Sequence, residues 1–193
     1  VGAALAADGI RIDRALTSGL ARTRETAQQV IEAARLALSI EHWSDLQEIR
    51  GGRLSAIRDD DLRDAFIAAF EGPVPPETRF LGGETIGELT DRVLPALQRL
   101  LADSGWDTAL LVAHGGVNRA VLSWFLTGRH QFLGGLAQDA GCLNVIDVGA
   151  TPATSVVRVV NFCPLDTLRT ETRLSTMEEL LHKYLKLRAR SEA

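Results

Sequence analysis

The sequence predicts an α/β fold, a three-layer α/β/α sandwich with a mostly parallel central sheet. An apolar run at residues 108–113 lacks polar alternation, which is typical of a strand buried on both faces. The run ends at His114-Gly-Gly116, and residues 117–126 predict the helix that follows. Strand-to-helix alternation of this kind recurs along the chain and favours a parallel sheet between two helix layers.

The other elements follow from hydrophobic periodicity and from glycine and proline positions. Helices are predicted at residues 1–7, 20–38, 54–70, 86–101 and 175–190. Strands are predicted in the second half of residues 10–17 and at 39–43, 142–148 and 155–160. The last two strands predict an antiparallel hairpin at one edge of the sheet, and residues 72–76 predict a loop.

The whole chain, residues 1–193, predicts a single domain that ends in an amphipathic helix. A capping box of Ser175 and Glu178 starts this helix. Its apolar side is formed by Met177, Leu180, Leu181, Tyr184 and Leu185. We expect the helix to pack back on the domain, and a homodimer contact is the alternative.

The charge, the apolar runs and the cysteine spacing argue against several classes of protein. The net charge of −4 gives no basic stripe, so nucleic acid is not an expected partner. No apolar run approaches the length of a membrane span. The two cysteines, Cys142 and Cys163, lack the spacing of a metal site or of a disulfide framework. We therefore expect a cytoplasmic protein without a metal site.

Three side chains are predicted to meet at the carboxyl end of the sheet. His114 ends its strand opposite a helix N-terminus, where anions bind favourably. Arg22 lies in the first helical turn after the first strand and offers a fork of N–H donors to a phosphate. Glu48 precedes a glycine turn, from which its carboxyl group can protonate a leaving alkoxide. Taken singly, a structural histidine, a solvated arginine and an inert glutamate are the alternatives.

Four segments carry a more specific pattern when they are taken in order. They are Thr17-Ser-Gly-Leu-Ala-Arg22-Thr-Arg-Glu-Thr26-Ala27, Leu46-Gln-Glu48-Ile-Arg-Gly-Gly52, Gly82-Gly83-Glu84-Thr85 with Arg92, and Val112-Ala-His114-Gly115-Gly116-Val-Asn-Arg119. This series resembles the motifs of the histidine phosphatase (phosphoglycerate mutase-like) superfamily. The family has Pro where this chain has Gly19, and Ser where it has Thr85.

The resemblance implies a mechanism. In this family a histidine of an N-terminal Arg-His-Gly motif attacks phosphorus and becomes a phosphohistidine. By position, Arg22 and His114 would hold the transferring phosphoryl group, and Glu48 would donate the proton to the leaving group. Gly115 and Glu84 would contact the substrate, a phosphorylated small molecule. No metal or organic cofactor is implied, because an imidazole is the nucleophile.

The chain departs from the family at the nucleophile, since these 193 residues contain no Arg-His-Gly. None of the remaining histidines, His42, His130 and His182, follows a strand in such a motif. We therefore expect the family's first strand and its nucleophile to lie upstream of Val1. That strand belongs to the middle of the sheet, so its absence would leave two strands unpaired. The alternative is a protein that binds phosphorylated ligands without turning them over.

The expected reaction is hydrolysis of a phosphomonoester. The segment between Glu48 and His114 is compact, whereas the family's glycolytic mutases carry longer insertions here. The resemblance therefore favours a phosphatase over a phosphoglycerate mutase-type phosphotransferase, which stays the alternative.

Overall fold

The computed structural model describes residues 1–163 and 174–191. Its α-helices are α1 (Gly2–Ala7), α2 (Ala21–Ala33), α3 (Leu62–Ile67), α4 (Ile86–Ala102), α5 (Gly115–Thr127) and α6 (Thr176–Ser191). Its strands are β1 (Arg14–Thr17), β2 (Ile40–His42), β3 (Pro73–Val74), β4 (Ala109–Val112), β5 (Phe132–Leu133), β6 (Leu143–Asp147) and β7 (Val156–Phe162). The predicted α/β class is confirmed.

A parallel sheet of order β2-β1-β4 organises the fold. Its register places Thr17 at the end of β1 beside His42 and Val112, which lie at the ends of the two neighbouring strands. The carboxyl ends of all three strands are therefore level, and the segments that follow β1 and β4 lie at the same edge of the sheet. This alignment positions the candidate site.

β4 differs from the buried central strand that the sequence predicts. Within the described residues it pairs only with β1, and its other edge has no strand partner. All four of its residues are consequently half-buried rather than buried on both faces. The predicted antiparallel hairpin is present as β6 and β7. It does not lie at the edge of the parallel sheet, as predicted, but forms a separate two-stranded sheet.

The principal core lies between α4 and α5. Leu89, Val93 and Val117 are completely buried in it, and Leu94 and Ala120 are nearly so. α4 begins where the sequence predicts because a capping box starts it: the Thr85 side chain accepts from the N–H of Glu88, whose carboxylate accepts from the N–H of Thr85.

α2 is shorter than predicted and ends at Ala33 instead of continuing to residue 38. Arg35 takes a left-handed conformation with φ of 56°, and Leu36 donates its N–H to the Ile31 carbonyl. These are features of a Schellman ending, which usually has glycine at the left-handed position. Because arginine stands there instead, the sequence gives no stop signal.

The predicted helix over residues 54–70 is also wrong in extent. Only Leu62–Ile67 is α-helical. Extended backbone at residues 57 and 58 divides the stretch before it into two short 3₁₀ turns, and a third such turn follows the helix. Within the predicted loop at 72–76, Pro73–Val74 pairs with Phe132–Leu133 as a short antiparallel ladder.

The last helix packs on the domain, as predicted. Leu181 is buried with Leu62 and Phe66 of α3, and Met177 and Tyr184 pack against the same cluster. Two members of the predicted apolar side, Leu180 and Leu185, are instead exposed. No helix within residues 1–163 and 174–191 is long and apolar enough to cross a membrane.

Candidate active site

His114 stands between β4 and α5, as predicted, and is buried. It is the N-cap residue of α5, and its carbonyl accepts from the N–H of Asn118 at 2.8 Å. The helix begins at Gly115, two residues before the predicted start, because the glycines belong to its first turn rather than to a separate loop.

Arg22 and His114 meet across the sheet edge. Arg22 lies in the first turn of α2, and its Nε and Nη2 donate to His114 Nδ1 at 3.2 and 3.0 Å. Burial of the imidazole, together with the positive charges of Arg22 and Arg92, lowers the pKa of His114 to about 4. His114 is therefore neutral near pH 7, with a lone pair on Nδ1 that faces the guanidinium.

The other imidazole nitrogen contacts a buried hydroxyl that sequence reasoning did not assign. Ser18 Oγ lies 2.8 Å from His114 Nε2 and 2.9 Å from Thr23 Oγ1. Ser18 directly follows β1, and its position at the carboxyl end of a strand was the available signal, whereas Thr23 lies in the first turn of α2. His114 is thus held on both of its ring nitrogens.

Glu48 reaches the same corner from the segment after β2. Its Oε1 accepts from the N–H of Ile49 at 3.0 Å and from the N–H of Gly116 at 3.1 Å. A Cβ on Gly116 would lie 2.6 Å from that oxygen, so a larger residue there would push the carboxylate out of this position. The carboxylate therefore lies at the N-terminus of α5, beside His114, where negative charge is stabilised.

Glu84 lies on the other side of the Glu48 segment. Its two carboxylate oxygens accept from Arg92 at 2.7 and 2.9 Å, and one also accepts from the N–H of Arg50. Arg92 in turn donates to the carbonyls of Asp45, Gln47 and Glu48. Glu84 does not line the cavity at His114, so the structure does not bring it together with the other predicted site residues.

A cavity of about 1410 Å³ opens at this corner. Arg22, Glu48, His114 and Gly115 line it, as four of the predicted site residues. It also extends along the open edge of β4 to β6, between the β2-β1-β4 sheet and the β6-β7 sheet. Within the described residues no group of three or more His, Cys, Asp or Glu side chains could hold a metal ion.

Arg119 also lines the cavity, and the sequence analysis did not assign it to the site. It donates to the carbonyls of Gly115 and Gly134 and lies over the Phe70 ring, 4.8 Å from the ring centroid. Phe70 packs edge-on against Phe80, which also lines the cavity. The signal in the sequence was its spacing, because Arg119 lies one helical turn after Gly115, the first residue of α5.

Comparison with known protein families identifies the superfamily of this chain. The family model of the histidine phosphatase superfamily (branch 1) matches residues 1–161. This chain belongs to that superfamily. A curated relative, the 2,3-bisphosphoglycerate-dependent phosphoglycerate mutase of Sinorhizobium fredii, is 35% identical over 134 residues. The matched region covers 63% of this chain and 60% of the relative's length.

Solved structures share the fold at low sequence identity. The α-ribazole phosphatase of Shigella flexneri has a TM-score of 0.61 at 19% identity, over 83% of this chain and 80% of that one. A mycobacterial glucosyl-3-phosphoglycerate phosphatase has a TM-score of 0.59 at 19% identity, over 83% and 82%. A phosphoserine phosphatase mutant from Entamoeba histolytica has a TM-score of 0.55 at 16% identity, over 87% and 83%. These similarities establish the fold.

Proposed function

We propose that this protein hydrolyses phosphomonoesters of small molecules through a phosphohistidine intermediate. The observation that carries the proposal is the convergence of Arg22, Glu48 and His114 on one cavity at the N-terminus of α5. A guanidinium, an imidazole and a carboxyl group are the groups that phosphoryl transfer without a metal requires.

Arg22 binds and orients the phosphoryl group, and His114, whose two ring nitrogens contact Arg22 and Ser18, holds the guanidinium in place. The guanidinium is fixed through Nε and Nη2 by the histidine, so its direction is set before a substrate arrives. Groups that are positioned in advance stabilise charge that develops in the transition state without reorganising during the reaction. Gly115 lines the same wall and leaves room for the phosphoryl oxygens.

Glu48 is the general acid. Oε1 accepts from the N–H groups of Ile49 and Gly116, and Oε2 has only the longer contact of 3.3 Å with the N–H of Gly116, so Oε2 is the oxygen that carries the proton. When the ester P–O bond breaks, this proton moves to the leaving alkoxide, and the carboxylate then takes a proton from the water that hydrolyses the phosphohistidine. Glu84 acts as a positioning residue, since it holds Arg92 against the carbonyl of Glu48.

The nucleophilic histidine is supplied, in this proposal, by an extended segment outside residues 1–193. The free edge of β4 and the cavity between β4 and β6 support it, because unpaired backbone groups inside a sheet need a partner strand. A strand seated there would end at the level of His114. Its imidazole would attack phosphorus as the ester bond breaks, and water would later release inorganic phosphate.

A phosphoglycerate mutase reaction is the second candidate, and the relative from Sinorhizobium fredii is the observation that favours it. Hydrolysis is preferred because three similar structures carry phosphatase names and the segment between Glu48 and His114 is compact. A mutase must retain a bisphosphorylated intermediate, whereas a phosphatase releases inorganic phosphate after each turnover.

The test is steady-state turnover by the full-length protein. p-Nitrophenyl phosphate reports hydrolysis, and 3-phosphoglycerate with and without 2,3-bisphosphoglycerate reports mutase activity. Phosphate release that does not depend on 2,3-bisphosphoglycerate supports the proposal. Isomerisation that does depend on it favours the mutase. Phosphate binding without either reaction would indicate the non-catalytic binder and overturn the proposal.

A further inference from the structure

Two buried hydroxyl groups stand behind His114, on the side away from Arg22. Ser18 and Thr23 are only 1% and 2% exposed, so their hydroxyl groups do not face solvent. Hydrogen bonds join Thr23 to Ser18 and Ser18 to His114 at 2.9 and 2.8 Å. The proton positions in this chain follow from counting donors, because each hydroxyl has only one hydrogen.

Thr23 fixes the first proton. Its Oγ1 lies 2.8 Å from the carbonyl of Leu20, which can only accept, so the threonine hydrogen points there. The bond between the two hydroxyls must therefore be donated by Ser18, whose single hydrogen is used in it. Ser18 Oγ then has only lone pairs to offer to His114, so Nε2 must carry the donated hydrogen.

The opposite side of the ring requires the same assignment. Nη2 and Nε of Arg22 can only donate, and both are directed at His114 Nδ1. Nδ1 must therefore be the unprotonated nitrogen. Two independent sets of contacts, one from hydroxyls and one from a guanidinium, select the same neutral tautomer.

We infer that Ser18 and Thr23 are positioning residues that hold His114 in the Nε2–H tautomer and thereby keep Arg22 aligned for the phosphoryl group. The catalytic consequence rests on the proposed function, whereas the tautomer itself does not. Without the Thr23 acceptor, the Ser18 hydroxyl is free to donate to Nε2. His114 would then carry its hydrogen on Nδ1, where it would face the guanidinium and displace it.

The charged groups around the ring agree with this arrangement. Arg22 from α2 and Arg92 from α4 both oppose a proton on His114, and they lower its pKa together with burial. Glu48 binds the N–H of Gly116, on the helix that follows, rather than the imidazole. The hydroxyl pair and the guanidinium therefore favour the same neutral form, and the hydroxyl pair does so because Thr23 keeps Ser18 from donating to Nε2.

The experiment is histidine ¹⁵N NMR on the full-length protein, with inorganic phosphate affinity measured in parallel. Thr23→Val removes the acceptor at nearly constant volume, and Thr23→Ser restores it as a matched control. Ser18→Ala is a second variant that leaves the contact between Thr23 and Leu20 intact. We expect wild type and Thr23→Ser to show the Nε2–H form. We expect Thr23→Val, in which the Ser18 hydroxyl can donate to Nε2, to gain the Nδ1–H form and to bind phosphate about tenfold more weakly. Ser18→Ala lacks that hydroxyl and should keep the Nε2–H form through the Arg22 contact.

An Nδ1–H form in the wild type would overturn the inference. So would weaker phosphate binding in Thr23→Val with an unchanged tautomer, because the hydroxyl would then be merely structural. Appearance of the Nδ1–H form in Ser18→Ala would overturn it as well, because that variant has no hydroxyl at this position to donate to Nε2. If the tautomers behave as expected but no phosphomonoester is turned over, the proposed function fails and the hydroxyl pair keeps its assignment.

Discussion

The segment around Glu48 has two sides that differ in purpose although both carry a glutamate from the sequence motifs. On the cavity side, Arg22, Glu48 and His114 form what we call the cavity-facing set. On the other side, Glu84 and Arg92 form what we call the supporting pair. The supporting pair satisfies nearly all of its hydrogen bonds within the protein. In the cavity-facing set, Arg22 uses Nε and Nη2 on His114 and keeps Nη1 for a ligand. Motif membership alone does not separate chemistry from support.

The largest expected effect is that of His114→Ala. Removing the imidazole releases the Arg22 guanidinium from the orientation in which it meets the phosphoryl group, so kcat/KM for p-nitrophenyl phosphate should fall about a thousandfold. The thermal unfolding midpoint is the control and should change little. A variant that keeps most of its activity would remove His114 from the cavity-facing set.

Glu48→Gln tests the proton donor. Glutamine still accepts from the N–H groups of Ile49 and Gly116 but cannot release a proton to the alkoxide. We expect kcat for an alkyl phosphate to fall about a hundredfold, while p-nitrophenyl phosphate, which has a good leaving group, loses less than about fivefold. Equal losses on both substrates would show that Glu48 is not the acid.

Glu84→Gln is the matched variant on the supporting side. It breaks an ion pair whose side chains are only 9% and 17% exposed, and we expect the free energy of unfolding to fall by about 2 kcal/mol. The loss of kcat should be about the same on alkyl phosphates and on p-nitrophenyl phosphate, because the whole Glu48 segment loosens. On alkyl phosphates it should be smaller than the loss in Glu48→Gln. A selective loss on the alkyl phosphate would instead place Glu84 in the chemistry.

The smallest effect is a pH dependence of stability. Burial raises the pKa of the Glu84 carboxyl, but hydrogen bonds from Arg92 and from the N–H of Arg50 outweigh it, and the net shift is downward from 4.5. A carboxyl whose folded pKa is lowered stabilises the fold above its unfolded pKa, and this contribution is lost as the pH falls through the folded value. The difference in Tm between wild type and Glu84→Gln should therefore be constant above about pH 5 and shrink below about pH 4.5. A difference that grows on acidification would contradict the pairing.

Local patterns in the sequence were sufficient for several elements. The run at residues 108–113 followed by His114 and two glycines correctly predicts β4 and α5, and the helix predicted from residue 86 begins there as α4. The convergence of Arg22 and His114 was also predicted, because both follow strands of an expected parallel sheet. The structure confirms it, since β1 and β4 are parallel neighbours.

Other features depend on contacts between distant residues, which periodicity does not report. The roles of Ser18 and Thr23 become visible only when β1 and β4 are side by side. The early end of α2 depends on Arg35 in a left-handed conformation that its residue type does not announce. The separate β6–β7 sheet and the free edge of β4 are properties of strand order, which alternation along one strand cannot reveal.

The covalent intermediate is the most direct test of the account. Full-length protein would be mixed with a ³²P-labelled phosphomonoester, quenched in alkali within milliseconds and examined for label on the polypeptide. The account predicts label that is stable in alkali and lost in acid, as expected of a phosphohistidine, and strongly reduced in His114→Ala. Turnover without such label at any quench time would mean that water attacks phosphorus directly, and it would contradict the proposed mechanism.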